Sequence, residues 1–236
     1  MAAEPAISKN ATAEWRDSAR NADWKTCVAC RPHPEPAVLP DSNVFETQLA
    51  APLSTPLSTR LALATLRRAR DSDANALSAL MRDTFRDAYG HCSSPANVAR
   101  FLDAHYRPAL QQREIADSGI DTLLAETGDG LQGFLQLRWG VASPRSDWRN
   151  AVELGRLYLS RRWHGTGLAA CLLDAAQMTA RARGADGMWL KVWKQAPQAI
   201  RFYTKHGFHV AGTARFDVGM DVAENWVMYR HLDAKE

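Results

Sequence analysis

No apolar run in these 236 residues approaches the roughly 18 that a membrane-crossing helix needs, so no membrane partner is expected. Cysteine is scarce, and Cys27, Cys30, Cys92 and Cys171 show no disulfide-framework spacing. The opening stretch MAAEPAISKNATAEWR lacks the apolar segment of a signal peptide, which places the expected location in the cytoplasm and makes the sequon at Asn10 a chance match. A strong charge of one sign is also missing. The formal charge is +3, and the densest basic run, Arg67-Arg68-Ala69-Arg70, stands beside Asp71 and Asp73. That pattern reads as solvated surface and not as a nucleic-acid face. Cys27, Cys30 and His33 supply three metal ligands where a structural zinc site needs four, and no second pair follows, so no metal is expected.

What is present divides unevenly. Residues 1–60 hold most of the eleven prolines and show no sustained period of 2 or 3.6. They read as a flexible, disordered extension ahead of one domain over 61–236. The domain begins with a strand after Leu63 and the helix caps Asp71-Ser72-Asp73. Helical spacing then runs through Leu77, Leu80, Met81, Phe85 and Ala88. Ser94-Pro95 opens a second helix, which Pro108 should kink or split. Residues 121–127 and 131–139 flank Gly128-Asp129-Gly130 as a hairpin. Further strands are expected over 152–159, 188–193, 208–216 and 226–232, with helices over 167–183 and from Pro197 to His206-Gly207.

The informative stretch is RRWHGTGLAACLL, where two glycines precede an apolar helix. Backbone N–H groups left free at such a helix start can converge on an anion, and the helix dipole adds to the attraction. A nucleotide P-loop is excluded, because no lysine stands in register after Gly165 or Gly167. Gly165-x-Gly167-x-x-Ala170 does satisfy a relaxed dinucleotide fingerprint. However, Asp186 precedes the following strand instead of ending it, and VELGRLYL carries Glu153 and Arg156 where a buried apolar strand is required.

Arg162-x-x-Gly165-x-Gly167 followed by an Ala/Leu helix, with Ala199-Ile200-x-Phe202-Tyr203-x-x-x-Gly207-Phe208 about 30 residues later, resembles the two signature motifs of the GNAT superfamily of acyl-CoA N-acyltransferases. The likeness runs from Leu63 to Leu232. GRLYL, MWLKVW and GFHVAGTARFDVGMD are most similar to the bacterial PaiA-type spermidine/spermine acetyltransferases. The resemblance implies an α/β fold with a mixed, largely antiparallel sheet flanked by helices. It also implies acetyl transfer from acetyl-CoA to a primary amine, by direct transfer in a ternary complex and without metal. A small amine or polyamine is the favoured acceptor. The alternatives are a protein N-terminal or lysine acetyltransferase, and a non-catalytic acyl-CoA-binding sensor. A homodimer is compatible with the resemblance.

Carried over residue by residue, the resemblance lays the coenzyme A pyrophosphate on the loop Trp163, His164, Gly165, Thr166, Gly167 and Leu168, with Arg162 near its entrance and His164 itself solvated. The edge Leu157, Tyr158 and Leu159 would pair with the pantetheine arm and aim an N–H at the thioester carbonyl. Gly155 is consistent with a bulge that splays the sheet. An amine of pKa near 10 is only about a thousandth neutral at pH 7, so transfer benefits from a base, for which Glu153 is the candidate; a plain surface glutamate is the competing reading. Tyr203 aligns with the family's general acid, with Phe202 and Tyr203 expected to divide between core and ligand. Phe85, Tyr89, His91, Tyr106, Trp139 and the acids Asp83 and Asp87 are candidates for the acceptor pocket, each more simply explained by packing or exposure. Cys171 reads as a small buried hydrophobe. Two departures stand out. Ala196 occupies the place of the family's cofactor-touching asparagine, with Gln195 and Gln198 as nearby amides. Ala223-Glu224-Asn225 replaces the Gln-Thr-Asp of PaiA-like relatives, which leaves polyamine acceptance open.

Overall fold

The computed structural model describes residues 64–90, 94–144, 148, 150–218 and 221–232. The expectations for residues 1–60, for Cys27, Cys30 and His33, and for His91 and Cys92 fall outside these.

Seven strands form one sheet in the order β1-β2-β3-β4-β5-β7-β6. They are β1 (Thr65–Arg68), β2 (Ile120–Thr127), β3 (Gly130–Arg138), β4 (Ala151–Leu159), β5 (Gly187–Trp193), β6 (His209–Val218) and β7 (Asp221–His231). Every neighbouring pair is antiparallel except β4 with β5. Helices α1 (Ala74–Tyr89), α2 (Pro95–His105) and α3 (Pro108–Ala116) precede β2, α4 (Leu168–Ala182) joins β4 to β5, and α5 (Pro197–Lys205) joins β5 to β6. This is the mixed, mostly antiparallel architecture that the motifs implied.

Local chemistry explains the boundaries. Ser94 caps α2 by accepting the Asn97 N–H, and Pro95 fits the first helical turn, where no intrahelical donor is needed. Pro108 ends the α2 trajectory and starts α3. Asp73 departs from the expected cap. Its carboxylate takes two hydrogen bonds from the Arg67 guanidinium, at 2.6 and 2.9 Å, and one from the Arg70 N–H, and makes no cap to α1. Charge-assisted bonds to a guanidinium outcompete a neutral amide donor. For the same reason the basic run is not simply solvated: Arg67 also binds Glu126, and Arg68 binds Asp121.

The sheet separates two cores. On one face Val152, Leu154, Leu157 and Leu159 of β4 pack with α4 and α5. On the other, Phe134 and Tyr158 meet Leu77, Met81 and Phe85 of α1 and Leu102 and Tyr106 at the end of α2. Leu154 and Leu157 share a face although three residues apart, which simple alternation forbids. Gln136 pairs with Arg156 and Leu137 with Leu154, so Gly155 is the extra residue of a bulge that flips the phase of β4. A Cβ at Gly155 would stand 3.0 Å from Cδ and Nε of Arg138, whose side chain crosses the strand there. Cys171 is only half-buried on the flank of α4, not inside the core as its apolar neighbours suggested.

Candidate active site

The two parallel strands part early. β4 pairs with β5 only at Ala151–Glu153 against Gly187–Trp189, and no further pairing joins them among the described residues. From Leu154 to Leu159 the β5-facing edge of β4 is therefore a row of main-chain donors and acceptors without a neighbouring strand. β5 meanwhile continues to Trp193 along β7. The result is a wedge-shaped gap with a polar backbone wall.

The glycine loop sits at the open end of this wall. Gly165 and Gly167 adopt φ of 75° and 94°, a region that a side chain makes costly, and Gly167 is the residue from which α4 starts. Thr166 Oγ1 donates to the Trp163 carbonyl at 2.8 Å and accepts the Leu168 N–H, while Ala170 N–H returns to the Gly167 carbonyl. The N–H groups of Gly165, Gly167 and Ala169 have no protein acceptor among the described residues. Such a cluster at a helix start suits an anion such as a diphosphate, and an open strand edge suits an extended amide chain. Trp163 anchors the loop by burying its ring in the α4–α5 core.

Two loop residues differ from expectation. His164 is not left to solvent, because its Nε2 lies 3.2 Å from the Leu159 carbonyl and ties the loop to the end of β4. Arg162 is engaged by neighbouring side chains. Its Nε and Nη2 donate to Gln132 Oε1 at 3.1 and 2.9 Å, and Asp129 is 3.6 Å away, so the amide of Gln132 at the start of β3 and the carboxylate of the β2–β3 turn hold it.

Glu153 is the last residue of β4 to pair with β5, opposite Arg138 on one side and Trp189 on the other. It is 2% exposed, so the surface reading is wrong. Its Oε1 is 3.8 Å from Nζ of Lys191. Burial raises the Glu153 carboxyl above its ordinary value, while the charges of Arg138 and Lys191 pull it back. A carboxylate held this way can accept a proton nearer neutral pH than a solvated one.

Arg156, on the same face, is completely buried. Its guanidinium meets Glu114 of α3 through Nη1 at 2.5 Å and Nη2 at 3.2 Å, and donates to Gln136 Oε1 at 2.6 Å. Gln136 in turn donates to Thr122 Oγ1 at 3.0 Å. Withdrawal from water lowers the Arg156 guanidinium from its ordinary value.

Tyr203 is fully buried in the core that contains Leu157, Leu159 and Leu168, with edge contacts to Phe202 at 5.2 Å and Phe208 at 5.4 Å. Both neighbouring rings of α5 are buried, so burial alone does not divide them between core and ligand. Among the acceptor-pocket candidates, Phe85 and Tyr106 are core, and Trp139 is held by Asp121 and lies under Arg183 at 4.2 Å. Asp83 is exposed beside Arg86, and Asp87 is exposed as well. Lys191 beside Glu153, and Asn225 buried on β7, were not foreseen; the available signal was a charged residue inside the apolar run MWLKVW.

Among the described residues no helix is long and apolar enough to cross a membrane, and no cluster of His, Cys, Asp or Glu could hold a metal.

Comparison with known proteins agrees with this arrangement. The family model for acetyltransferases (GNAT) matches residues 60–208. An uncharacterized N-acetyltransferase of Mycobacterium tuberculosis is 35% identical over 161 residues, which cover 68% of this chain and 99% of that protein. Another from Lactobacillus delbrueckii subsp. lactis is 27% identical over 65% of this chain and 89% of its own. Among solved structures, the PaiA N-acetyltransferase from Thermoplasma acidophilum in complex with coenzyme A superposes with a TM-score of 0.60 at 24% identity, covering 71% of this chain and 98% of that one. YncA from Salmonella typhimurium with its cofactor acetyl-CoA gives 0.55 at 20% identity, covering 73% and 96%. At these identities the structures speak for the fold. The family match and the 35% relative speak for more, and the chain belongs to the acetyltransferase (GNAT) family.

Proposed function

We propose that this acetyltransferase moves an acetyl group from acetyl-CoA to a primary amine of a small molecule, directly and within one ternary complex. The observation that carries the reading is the early parting of β4 and β5, with Glu153 at its apex and the N–H cluster of Gly165, Gly167 and Ala169 at its mouth. Acetyl-CoA supplies an activated thioester. The loop from Trp163 to Leu168 holds the pyrophosphate through main-chain donors, and Arg162, bound to Gln132 and Asp129, ties the start of that loop to the β2–β3 hairpin. The free edge Leu157–Leu159 pairs with the pantetheine amides, and one N–H of that edge faces the thioester carbonyl, where developing negative charge needs a donor. Glu153 takes a proton from the incoming ammonium, and Tyr203 returns one to the departing thiolate. The sequence offers no Ser-His-Asp order, and Cys171 is half-buried on the flank of α4, which favours direct transfer.

The test is release of free thiol from acetyl-CoA in the presence of a panel of small amines and short peptides, with cofactor binding followed separately by calorimetry. Thiol release that saturates with a small amine supports the reading. Turnover on peptides alone would instead select a protein acetyltransferase, and binding without any turnover would select a sensor.

A further inference from the structure

Asn225 of β7 is 0% exposed, and neither its Oδ1 nor its Nδ2 has a hydrogen-bond partner. Among the described residues it is the one side chain whose donor and acceptor are both buried and both unpaired. Neither cross-strand neighbour, Trp193 of β5 or Ala214 of β6, bonds to it. Buried polar groups in native proteins are satisfied with few exceptions, and an exception calls for a reason. Register places this amide. Glu153 pairs with Trp189, and side chains alternate along β5, so Trp189, Lys191 and Trp193 lie on the face of Glu153. The 3.8 Å approach of Lys191 to Glu153 agrees with that. Asn225 pairs with Trp193 and shares the same face. Leu157 on β4 and Trp193 on β5 are each four residues beyond the Glu153–Trp189 pair, in strands that run parallel from it. The unpaired amide therefore stands level with the β4 edge assigned to the thioester, on the face that carries the base.

We infer that the acceptor carries a primary carboxamide a few bonds from its reactive amine, and that Asn225 selects it. This rests on the transferase reading above and names its substrate class. The two unpaired atoms decide between ligands. A carboxylate satisfies Nδ2 but sets its charge against Oδ1, and an ammonium satisfies Oδ1 but faces the Nδ2 donor. A primary carboxamide presents an N–H and a C=O on the same side and pairs with both atoms of Asn225 at once. A trans peptide bond sets its N–H and C=O on opposite sides and cannot, so a peptide N-terminus is the weaker match. Trp193, half-buried and directly cross-strand from the closed amide, is the side chain that turns to admit the ligand.

The experiment measures kcat/KM by thiol release for glycinamide, β-alaninamide and γ-aminobutyramide, beside their N,N-dimethylamides, their free acids and alkylamines of matched length. At least one carboxamide should exceed all three of its analogues by about tenfold or more, because each analogue leaves a buried atom of Asn225 unpaired. Asn225→Ala and Asn225→Leu should each bring that ratio towards one while acetyl-CoA still binds, a change that general loss of activity does not produce. Carboxamides used no better than their analogues, or a ratio unchanged in both variants, overturns the inference and leaves the transferase reading standing. Binding of acetyl-CoA with no amine turned over overturns the transferase reading, and this one with it.

Discussion

Glu153 Oε1 lies 3.8 Å from Lys191 Nζ across the point where β4 and β5 separate. Burial pushes this carboxyl up, and Arg138 and Lys191 restrain the rise. A base must be deprotonated to act, so kcat/KM should climb with pH through a limb placed above the usual carboxylate range. Lys191→Met removes one of the two restraining charges and should move that limb further up. Glu153→Gln should abolish the limb and lower kcat by about 10²–10⁴. The check is a pH–rate profile of the three proteins; a limb that stays in place in both variants would assign proton acceptance to another group.

Tyr203 tests the other proton. Its ring fills a fully buried site between Phe202 and Phe208, and Tyr203→Phe keeps that packing while deleting only the hydroxyl. Stability should change by about 1 kcal/mol or less. Turnover should fall about a hundredfold with the acetyl-CoA dissociation constant unchanged, as loss of a general acid requires. Steady-state rates beside calorimetric binding decide it, and an unaltered kcat would remove Tyr203 from the chemistry.

The loop can be separated from simple backbone strain by a matched pair of glycines. Gly167 at φ 94° opens α4, and Gly184 at φ 82° follows the end of the same helix. Alanine at either position should cost about 1–2 kcal/mol in denaturant unfolding, because a Cβ disfavours left-handed backbone. Only Gly167→Ala should also weaken coenzyme A binding, because only its N–H belongs to the free cluster. Equal affinity in the two variants would contradict a diphosphate at this mouth.

Much of the scaffold was legible because local signals were strong. Pro108 divides α2 from α3 as its missing N–H demands, and Gly128-Asp129-Gly130 turns β2 into β3. The loop glycines announced themselves by spacing alone. The acceptor side did not, for two physical reasons. In VELGRLYL the bulge at Gly155 reverses the alternation, so neither the burial of Glu153 nor its shared face with Arg156 follows from period-2 reading. On β7 the polar opening of DVAENWVMYRH looks like a connection, and the strand was expected only from Trp226. Pairing with β6 extends it back to Asp221 and thereby carries Asn225 into the sheet interior. Both are tertiary effects that overrule local pattern.

The ion pair beneath the sheet separates support from chemistry. Arg156 has no exposed surface and depends on Glu114, itself 23% exposed on α3, to balance its charge. Glu114→Ala would take the carboxylate away from a buried guanidinium, and should cost about 3 kcal/mol of stability. Replacing both partners by apolar residues, Glu114→Leu with Arg156→Met, should cost much less, because no uncompensated charge remains inside. Since the pair faces α3 and not the gap, acetyl-CoA affinity should be unchanged in the double variant. Urea unfolding of the two proteins measures the difference. A single variant that loses less than about 1 kcal/mol would mean that water reaches Arg156, and that this part of the sheet face is wetter than its burial indicates.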